Sequence, residues 1–326
     1  MRRILITGGT GFVGSHLVRF LNSADAKLIV VSSGEVKTQL PGVEYCRVDI
    51  RNADDVRAVV RGASPHQVYH LAGISSVPAS WQDPRLTFDV NVIGSYNIFD
   101  AAMRLPDPPR ILNVSTSQVY APSDAALLEM SPLGPDNPYA ASKAMGELLA
   151  VQYQKSTKGG GIITARAFNH TGPGQFTSFA LPSFAKQLAE MEVGRRPPVL
   201  KVGNIHLKRD FTDVRDVVVA YHELLEKGAV GDTYNVCSGR AVLLAELVKE
   251  LQKNCAVTVT IEVDPARVRA RDVPQIVGDP GKLHRTTEWI PKVPLGRMLK
   301  ELLAYWRTEI KEHAVEGNVA ATETLP

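Results

Sequence analysis

Short apolar runs alternate with amphipathic stretches along the first half of the chain. Runs typical of buried strands lie at residues 4–6, 27–31, 45–48, 67–71, 110–114 and 162–165. Spacing typical of helices separates them, at residues 15–21, 53–61, 87–104, interrupted only by Gly94, and from 138 to about 153. Such alternation predicts an α/β fold, with a doubly wound parallel sheet covered by helices on both faces.

The pattern becomes less regular in the second half of the chain. Prolines at 182, 197 and 198 accompany a change in composition after residue 170. We therefore expect a first domain over residues 1–170, to which some later segments return, and a smaller mixed α/β lobe over residues 171–312. Few large apolar side chains follow, which predicts a disordered tail at residues 313–326.

Glycines recur every third residue directly after the first predicted strand. Gly8, Gly11 and Gly14 lead from that strand into the first predicted helix. Glycine there permits a tight turn, a close approach of the backbone to a pyrophosphate, and phosphate binding by the N–H groups of the helix N-terminus. Glycine-rich turns also occur where only packing requires them, but the strand–turn–helix context favours a dinucleotide-binding Rossmann domain.

The end of the second predicted strand is where a dinucleotide fold distinguishes its cofactors. An acidic residue there would bind the ribose hydroxyls of NAD, but this chain has Ser32 and Ser33. Nothing in the segment repels a 2′-phosphate, and no arginine in it binds one. NADP(H) is therefore slightly preferred, with NAD(H) as the alternative.

Hydroxyl groups and one ionisable pair are the candidate catalytic groups. Residues 115–120, Ser-Thr-Ser-Gln-Val-Tyr, follow the fifth strand at the edge where open α/β sheets bind ligands, although such a run is also typical of a polar turn. Asn137 and Pro138 predict a helix start, so that Tyr139 and Lys143 lie one turn apart on one face. A lysine ammonium there is expected to lower the pKa of the tyrosine, making it a general acid or base.

Composition excludes several classes of function. The formal net charge is +3 and the basic residues are dispersed among acids, so no nucleic-acid-binding surface is predicted. The three cysteines lack metal-ligand spacing and His70 is expected to be a packed strand residue, so no metal site is predicted. The cysteines are expected to be free thiols, which suits a reducing compartment. The sequence has no long apolar run, and it leaves no room for a cleavable signal before the first strand. We therefore expect a cytoplasmic protein that lies outside the membrane.

Together these motifs resemble the extended short-chain dehydrogenase/reductase family of nucleotide-sugar epimerases, dehydratases and reductases. The resemblance covers residues 1 to about 310. It implies that Tyr139 exchanges a proton with a sugar oxygen, that Thr116 bonds the same oxygen, and that Lys143 holds the nicotinamide ribose. The residues that it assigns to the cofactor are Gly8, Thr10, Gly11, Phe12, Val13, Gly14, Ser32, Asp49, Ile50, Leu71, Ala72, Gly73, Asn91, Tyr139, Lys143 and Phe168.

The second lobe resembles the GDP-mannose branch of this family. The similarity lies in residues 168–175, 201–204, 209–216 and 234–239, and is greatest to reductases of GDP-6-deoxy-4-keto-D-mannose, which make GDP-D-rhamnose, and next to GDP-mannose 4,6-dehydratases. It implies two arginines that neutralise the diphosphate, although isolated loop arginines are equally typical of solvated surface. The residues implied to bind substrate are Thr116, Ser117, Asn169, Asn204, Arg209, Arg269 and Asp272.

One departure from the family pattern concerns the type of reaction. Dehydratases of this branch carry a glutamate after Thr-Ser, which removes the C5 proton and expels the C6 hydroxyl, whereas this chain has Gln118. A neutral amide cannot accept that proton. The family's reductases usually keep an acid there too, so the substitution argues against dehydration without establishing reduction. The sequence favours NAD(P)H-dependent reduction of the C4 ketone of a GDP-4-keto-6-deoxyhexose.

Other interpretations stay open. A nucleotide-sugar 4-epimerase would use the same three residues with tightly held NAD, and a GDP-mannose 4,6-dehydratase is the second alternative. A non-catalytic NAD(P)H sensor that binds a partner protein is the third, although the intact Tyr139 and Lys143 argue against it. The product could be GDP-D-rhamnose or its C4 epimer. The resemblance also implies a homodimer, formed by the helices that begin near Thr87 and Pro138.

Overall fold

The chain folds around a seven-stranded parallel sheet. The computed structural model describes residues 1–22, 25–36, 38–154, 160–268 and 272–322, with side chains described as far as residue 312. The strands in that part of the chain are β1 (Arg2–Thr7), β2 (Ala26–Ser32), β3 (Val43–Arg47), β4 (Gln67–His70), β5 (Arg110–Thr116), β6 (Gly161–Ala167), β7 (Asn169–Thr171), β8 (Val199–Val202), β9 (Lys208–Asp213), β10 (Thr233–Val236), β11 (Ala241–Leu243), β12 (Thr260–Val263) and β13 (Gln275–Ile276). The helices are α1 (Phe12–Leu21), α2 (Ala53–Ala63), α3 (Val77–Gln82), α4 (Pro84–Phe88), α5 (Gly94–Met103), α6 (Pro138–Gln154), α7 (Ala180–Glu192), α8 (Val214–Lys227), α9 (Leu244–Lys253), α10 (Gly281–Thr287) and α11 (Leu295–Thr322).

The main sheet has the order of a doubly wound Rossmann fold. Its strands lie in the order β3-β2-β1-β4-β5-β6-β10, and each neighbouring pair is parallel. The direction of winding reverses between β1 and β4, and ligands of such sheets bind at the carboxyl ends of the strands beside that reversal. The six strands expected from the apolar runs are present, which confirms the predicted fold class.

Alternate side chains of the sheet enter two separate cores. On β1, Ile4 and Ile6 pack in the core beneath α1 and α8, whereas Leu5 packs in the core beneath α2, α5 and α6. The period of two follows from the strand pleat, and both faces are apolar because helices cover both. This double burial explains why the strands appear in the sequence as continuous apolar runs.

The second lobe has its own core and two small sheets. One sheet contains β11, β9 and β13, with β7 pairing to β9, and the other pairs β8 with β12. Its core is formed largely by α7, α9 and α11, with Leu188, Leu251 and Leu302 fully buried. By contrast, α8 and β10 pack with the first lobe, so the chain returns to the Rossmann core after residue 170. The residue at which the domains divide stays a prediction.

Two segments differ in detail from the expectation. The helix expected over residues 87–104 begins earlier, as α4, and contains a π-helical turn at Asp89–Ile93 before α5. Such turns are frequent at functional sites because they reorient one side chain of a helix. The backbone of α11 is helical to Thr322, within the segment predicted to be disordered, and residues 323–326 lie outside the described residues.

Candidate active site

The glycine turn after β1 is packed so closely that larger residues are excluded. Gly8 has φ of +69°, and a Cβ atom added there would lie 2.7 Å from the backbone N of Ala72. A Cβ atom on Gly14 would lie 2.1 Å from the carbonyl oxygen of Gly8. No side chain caps α1 at Gly11, so its N-terminal N–H groups remain available to a phosphate. The turn therefore fits the pyrophosphate of a dinucleotide.

The end of β4 forms the floor of the same cleft. The N–H groups of Leu71 and Ala72 donate to the backbone and side-chain oxygens of Thr7, at 3.1 and 3.2 Å. A Cβ atom on Gly73 would lie 2.9 Å from the side-chain oxygen of Asn91 and 3.8 Å from Nζ of Lys143. The small residues predicted at this position are therefore required by the close approach of two other site residues.

Asn91 holds this floor against the catalytic helix. It lies in the π-helical turn, and its amide accepts from the N–H of Ile74 at 2.8 Å and donates to the carbonyl of Ile74 at 3.0 Å. The same amide donates to Oγ of Ser142 on α6 at 2.9 Å. Because the π-helical turn directs Asn91 inward, α6 and the end of β4 are held in one arrangement.

Both ring nitrogens of His70 take part in the packing around the π-helical turn. Its Nδ1 lies 2.8 Å from Oγ1 of Thr7 and its Nε2 lies 2.9 Å from Oγ of Ser95, which donates to the carbonyl of Asn91. Burial lowers the pKa of His70 to about 3, and the charge of Lys143 acts in the same direction. The imidazole is therefore neutral, as suits a packed strand residue.

Three candidate catalytic groups meet at the carboxyl end of β5 and the first turns of α6. Tyr139 is 8% exposed and lies beside Thr116, whose side chain acts to lower the pKa of the phenol. Asn137 caps α6 by accepting from the N–H of Ala140 at 2.9 Å, and Lys143 follows Tyr139 by one turn. The fold thus brings together residues from two segments that lie more than twenty positions apart.

The pKa of Tyr139 differs from the expectation. Burial raises it, and the hydrogen bond from Thr116 opposes that effect without overcoming it. Burial also lowers the pKa of Lys143 to about 8, against the charge of Glu147. The predicted lowering of the tyrosine pKa by Lys143 was wrong because desolvation dominates both groups. A phenol that stays protonated is suited to donating a proton.

The adenine side of the cleft is polar and open. Asp49 accepts hydrogen bonds from the N–H and the guanidinium of Arg51, which lower its pKa. The carbonyl of Ile50 accepts from Asn97 at 2.9 Å. At the end of β2, Oγ of Ser32 lies 2.8 Å from Oγ1 of Thr10. Thr10 and Ser32 are therefore brought together, and the binding of adenosine by these two residues and Asp49 stays a prediction.

An arginine that the sequence reasoning missed lies beside Ser32. Arg47 pairs with Ser32 in the parallel register of β3 with β2, and its Nε donates to the carbonyl of Ser33 at 3.3 Å. It lies fourteen positions beyond Ser33, so only strand pairing reveals the contact. The prediction that no arginine binds a 2′-phosphate here considered only the residues that directly follow β2.

The remaining cofactor candidates surround the glycine turn and the β6 end. Phe12 stacks on His170, with ring centroids 6.2 Å apart, and Val13 packs against the core beneath α1. The side chain of Phe168 is buried with Tyr120 and Cys237, and its backbone N–H donates to the carbonyl of Val236 at 3.0 Å.

The candidate substrate residues lie on and around the second lobe. Asn169 is exposed on β7, which pairs with β9, the strand of Arg209. The amide of Asn204 donates to the carboxylate of Asp272 at 3.3 Å, so these two are brought together. Ser117 is buried in the short turn that follows Thr116. Arg269 lies outside the described residues, and its role stays a prediction.

A buried carboxylate fixes the loop after β10. Asp210 accepts from the N–H and hydroxyl of Ser238, at 2.8 and 2.6 Å, and from the N–H groups of Gly239 and Gly278, at 2.9 and 3.3 Å. Four donors compensate for the burial of this carboxylate. The position of Asp210 directly after Arg209 in the sequence gave no signal of this role.

Comparison with known proteins agrees with this geometry. The family model described as GDP-mannose 4,6 dehydratase matches residues 5–302. The GDP-6-deoxy-D-mannose reductase of Pseudomonas aeruginosa is 35% identical, with 95% of this chain and 99% of that protein covered. The structure of RMD from Pseudomonas aeruginosa complexed with NADPH is 33% identical, with a TM-score of 0.84 and 95% and 100% of the two chains covered. The Thermus thermophilus UDP-glucose 4-epimerase complex with NAD is 28% identical, with a TM-score of 0.82 and 94% and 99% covered.

The glycine turn generates a test of the cofactor cradle. Gly14→Ala places a Cβ atom against backbone, so we expect a loss of about 1–3 kcal/mol of folding free energy, or more, and a marked loss of NADPH affinity. Gly62→Ala is the control, since a Cβ atom there meets nothing within 4 Å and should stabilise α2 by about 0.5–1 kcal/mol. Thermal unfolding and NADPH titration measure both. Wild-type stability and affinity in Gly14→Ala would contradict the described cradle.

Proposed function

Because this chain belongs to the GDP-mannose 4,6-dehydratase family, within the extended short-chain dehydrogenases/reductases, we propose that it reduces the C4 ketone of a GDP-4-keto-6-deoxyhexose with NAD(P)H. The observation that carries the proposal is the position of the buried Tyr139 beside Thr116, at the edge where the glycine turn opens. The similarity to a GDP-6-deoxy-D-mannose reductase over nearly the whole of both chains supports the substrate class.

The chemistry follows from two hydroxyl groups and one ammonium. A bound nicotinamide cofactor supplies the hydride. Thr116 and Tyr139 donate hydrogen bonds to the ketone oxygen, and they stabilise the negative charge that develops there. Tyr139 then transfers its phenolic proton to that oxygen, so that ketone, hydride and proton give the alcohol. Lys143, one turn further along α6, holds the ribose of the bound cofactor, and solvent returns the proton to Tyr139.

Gln118 favours reduction over dehydration. Its side-chain oxygen accepts a hydrogen bond from the amide of Asn137 at 3.2 Å, beside the start of α6. A neutral amide held in this way provides no base for removal of a C5 proton. A dehydratase reaction therefore lacks its acid/base group at the position where the family carries it.

We propose NADPH as the preferred cofactor, on the ground of Arg47. Its guanidinium lies at the β2–β3 edge beside Ser32 and Ser33, where the 2′-phosphate of a bound dinucleotide would lie. An arginine forms paired, charge-assisted hydrogen bonds with phosphate oxygens. NAD would leave this charge without a partner.

We also propose a homodimer formed by α5 and α6. Their outer surfaces, together with the π-helical turn before α5, carry five exposed apolar side chains, with Leu148 64% exposed. The members of this patch are Ile93, Tyr96, Met145, Leu148 and Val151. Two adjacent helices with an apolar outer face suit a second copy of the same chain, because a two-fold axis pairs the patch with itself.

The cytoplasm is the proposed location. Cys46, Cys237 and Cys255 are free thiols, which suits a reducing compartment. Among the described residues no helix is long and apolar enough to cross a membrane.

The main test replaces the proton donor. Tyr139→Phe should lower kcat by about 10²–10⁴-fold while leaving the Kd for NADPH nearly unchanged, because only proton transfer is lost. NADPH oxidation with GDP-4-keto-6-deoxymannose, and NMR of the product sugar, measure the effect. Tyr96→Phe, an exposed tyrosine on α5, is the control. No oxidation by the wild-type protein, or turnover of GDP-mannose to a 4-keto sugar, would refute the reductase.

The cofactor preference has a separate test. Arg47→Gln should weaken NADPH binding by about 10–100-fold, since a hydrogen-bonded charge is worth about 1.5–3 kcal/mol, and should leave NADH binding unchanged. Fluorescence titration with both cofactors measures the ratio. Arg61→Gln, an exposed arginine at the far end of α2, is the matched control. Equal weakening of both cofactors would show that Arg47 does not contact the 2′-phosphate.

The proposed dimer is tested through its most exposed side chain. Leu148→Glu should convert a dimer to a monomer, because two copies of the carboxylate would face each other across the two-fold axis. Light scattering after size-exclusion chromatography gives the mass. Val193→Glu, at an exposed apolar position after α7, should remain dimeric. A monomeric wild-type protein would rule out the interface.

A further inference from the structure

A buried ion pair lies beneath the catalytic helix. The guanidinium of Arg166 on β6 donates from Nε to both carboxylate oxygens of Glu147 on α6, at 3.0 and 3.2 Å, and from a terminal nitrogen at 2.7 Å. The two side chains are 7% and 9% exposed. Burial acts to lower the pKa of Arg166, and the hydrogen bonds and charge of Glu147 outweigh it. The guanidinium and the carboxylate therefore form a matched, buried ion pair.

The pair is connected to the elements that carry the catalytic groups. Glu147 lies one turn beyond Lys143 and two turns beyond Tyr139, on the same side of α6. Its carboxylate also accepts a hydrogen bond from the hydroxyl of Ser115, the residue before Thr116 on β5. One carboxylate thus joins the strand of Thr116 to the helix of Tyr139 and Lys143.

Arg166 extends the connection to the loop between β5 and α6. Its third nitrogen donates to the carbonyl of Glu129 at 2.9 Å, and its guanidinium lies 4.6 Å from the ring centroid of Tyr120. The hydroxyl of Tyr120 donates to Asn235 on β10 at 2.6 Å. The loop that leads from the Thr116 turn to the start of α6 is therefore held at its middle by the same pair.

The charges around Lys143 single out Glu147. From its own helix, Lys143 faces Tyr139, which is neutral, and Glu147, whose charge opposes the effect of burial on the lysine pKa. From β4 it faces His70, which is neutral, and Arg166 lies beyond Glu147 on β6. Within the part of the chain that the structure describes, Glu147 is therefore the anion whose charge acts on Lys143.

Stability alone does not explain such a pair. Burying two charges has a large desolvation cost, and replacing a buried ion pair by apolar residues of similar size is often neutral or stabilising. We propose that Glu147, held by Arg166 and Ser115, is a positioning residue that fixes Lys143 and Thr116 relative to each other and keeps the lysine charged during turnover. The role in turnover rests on the proposed reductase, whereas the effect on the lysine charge does not.

The test removes both charges together, so that no buried charge is left unpaired. In Glu147→Met/Arg166→Met we expect folded protein, a kcat lowered by at least about tenfold, and little change in KM for the sugar nucleotide. NADPH affinity is measured between pH 7 and 10, a range in which the phosphate of NADPH stays ionised. The affinity should fall with rising pH, and the midpoint of the fall should lie about one pH unit lower in the double variant than in the wild type, because Lys143 loses its charge at a lower pH. Glu147→Gln, which leaves Arg166 charged, should shift the midpoint further.

Two more variants complete the design. Glu192→Met/Arg307→Met removes a bidentate pair of similar geometry in the second lobe and should leave kcat and the pH dependence unchanged. Ser115→Ala retains both charges, so it should lower kcat by about threefold to tenfold with the wild-type midpoint. Ser115→Ala also tests the positioning role if Glu147→Met/Arg166→Met does not fold.

The outcomes separate the two proposals. Wild-type kcat and midpoint in the double variant, or wild-type kcat in Ser115→Ala, would overturn the positioning role. NADPH binding is measured without a sugar nucleotide, so failure of the wild-type protein to reduce the GDP-linked ketone would refute the proposed substrate and leave the binding curves informative.

Discussion

Burial of ionisable side chains along one helix is the constraint on which the site depends. Helix α6 carries Tyr139, Lys143 and Glu147 at successive turns into surroundings from which much of the water is excluded. An uncompensated charge there would change protonation state or destabilise the fold. Arg166 matches Glu147, and Glu147 opposes the effect of burial on Lys143. The order of charges along the helix therefore decides which groups can give or take a proton.

The same constraint acts on the protonation state of the candidate proton donor. Burial keeps Tyr139 protonated, and a protonated phenol beside Thr116 is prepared to donate to an oxygen on which negative charge develops. A reductase and an epimerase share the three residues, but an epimerase must use the tyrosine in both directions within one turnover. The protonated form of Tyr139 is the one with which a reduction begins.

The sequence allowed prediction of features that depend on local patterns. Apolar runs located the strands of the main sheet, and the spacing of Gly8, Gly11 and Gly14 located the turn, because both signals lie within a few adjacent residues. The position of Arg47 beside Ser33 was not predicted, because only strand pairing brings the two residues together. The pKa of Tyr139 escaped because desolvation depends on the whole fold, whereas the lysine one turn away was visible in the sequence.

Cofactor exchange is the property that separates the candidate reactions, and the adenosine side of the cleft bears on it. A reductase must release its cofactor after each turnover, whereas an epimerase holds NAD throughout. Asp49 and Arg51 are 39% and 44% exposed, and Arg47 is also exposed. Contacts through exposed charges are weakened by water and salt, so they select a cofactor without holding it tightly. An open, charged surface at the proposed adenosine site is therefore the property expected of a reductase that exchanges its cofactor with solution.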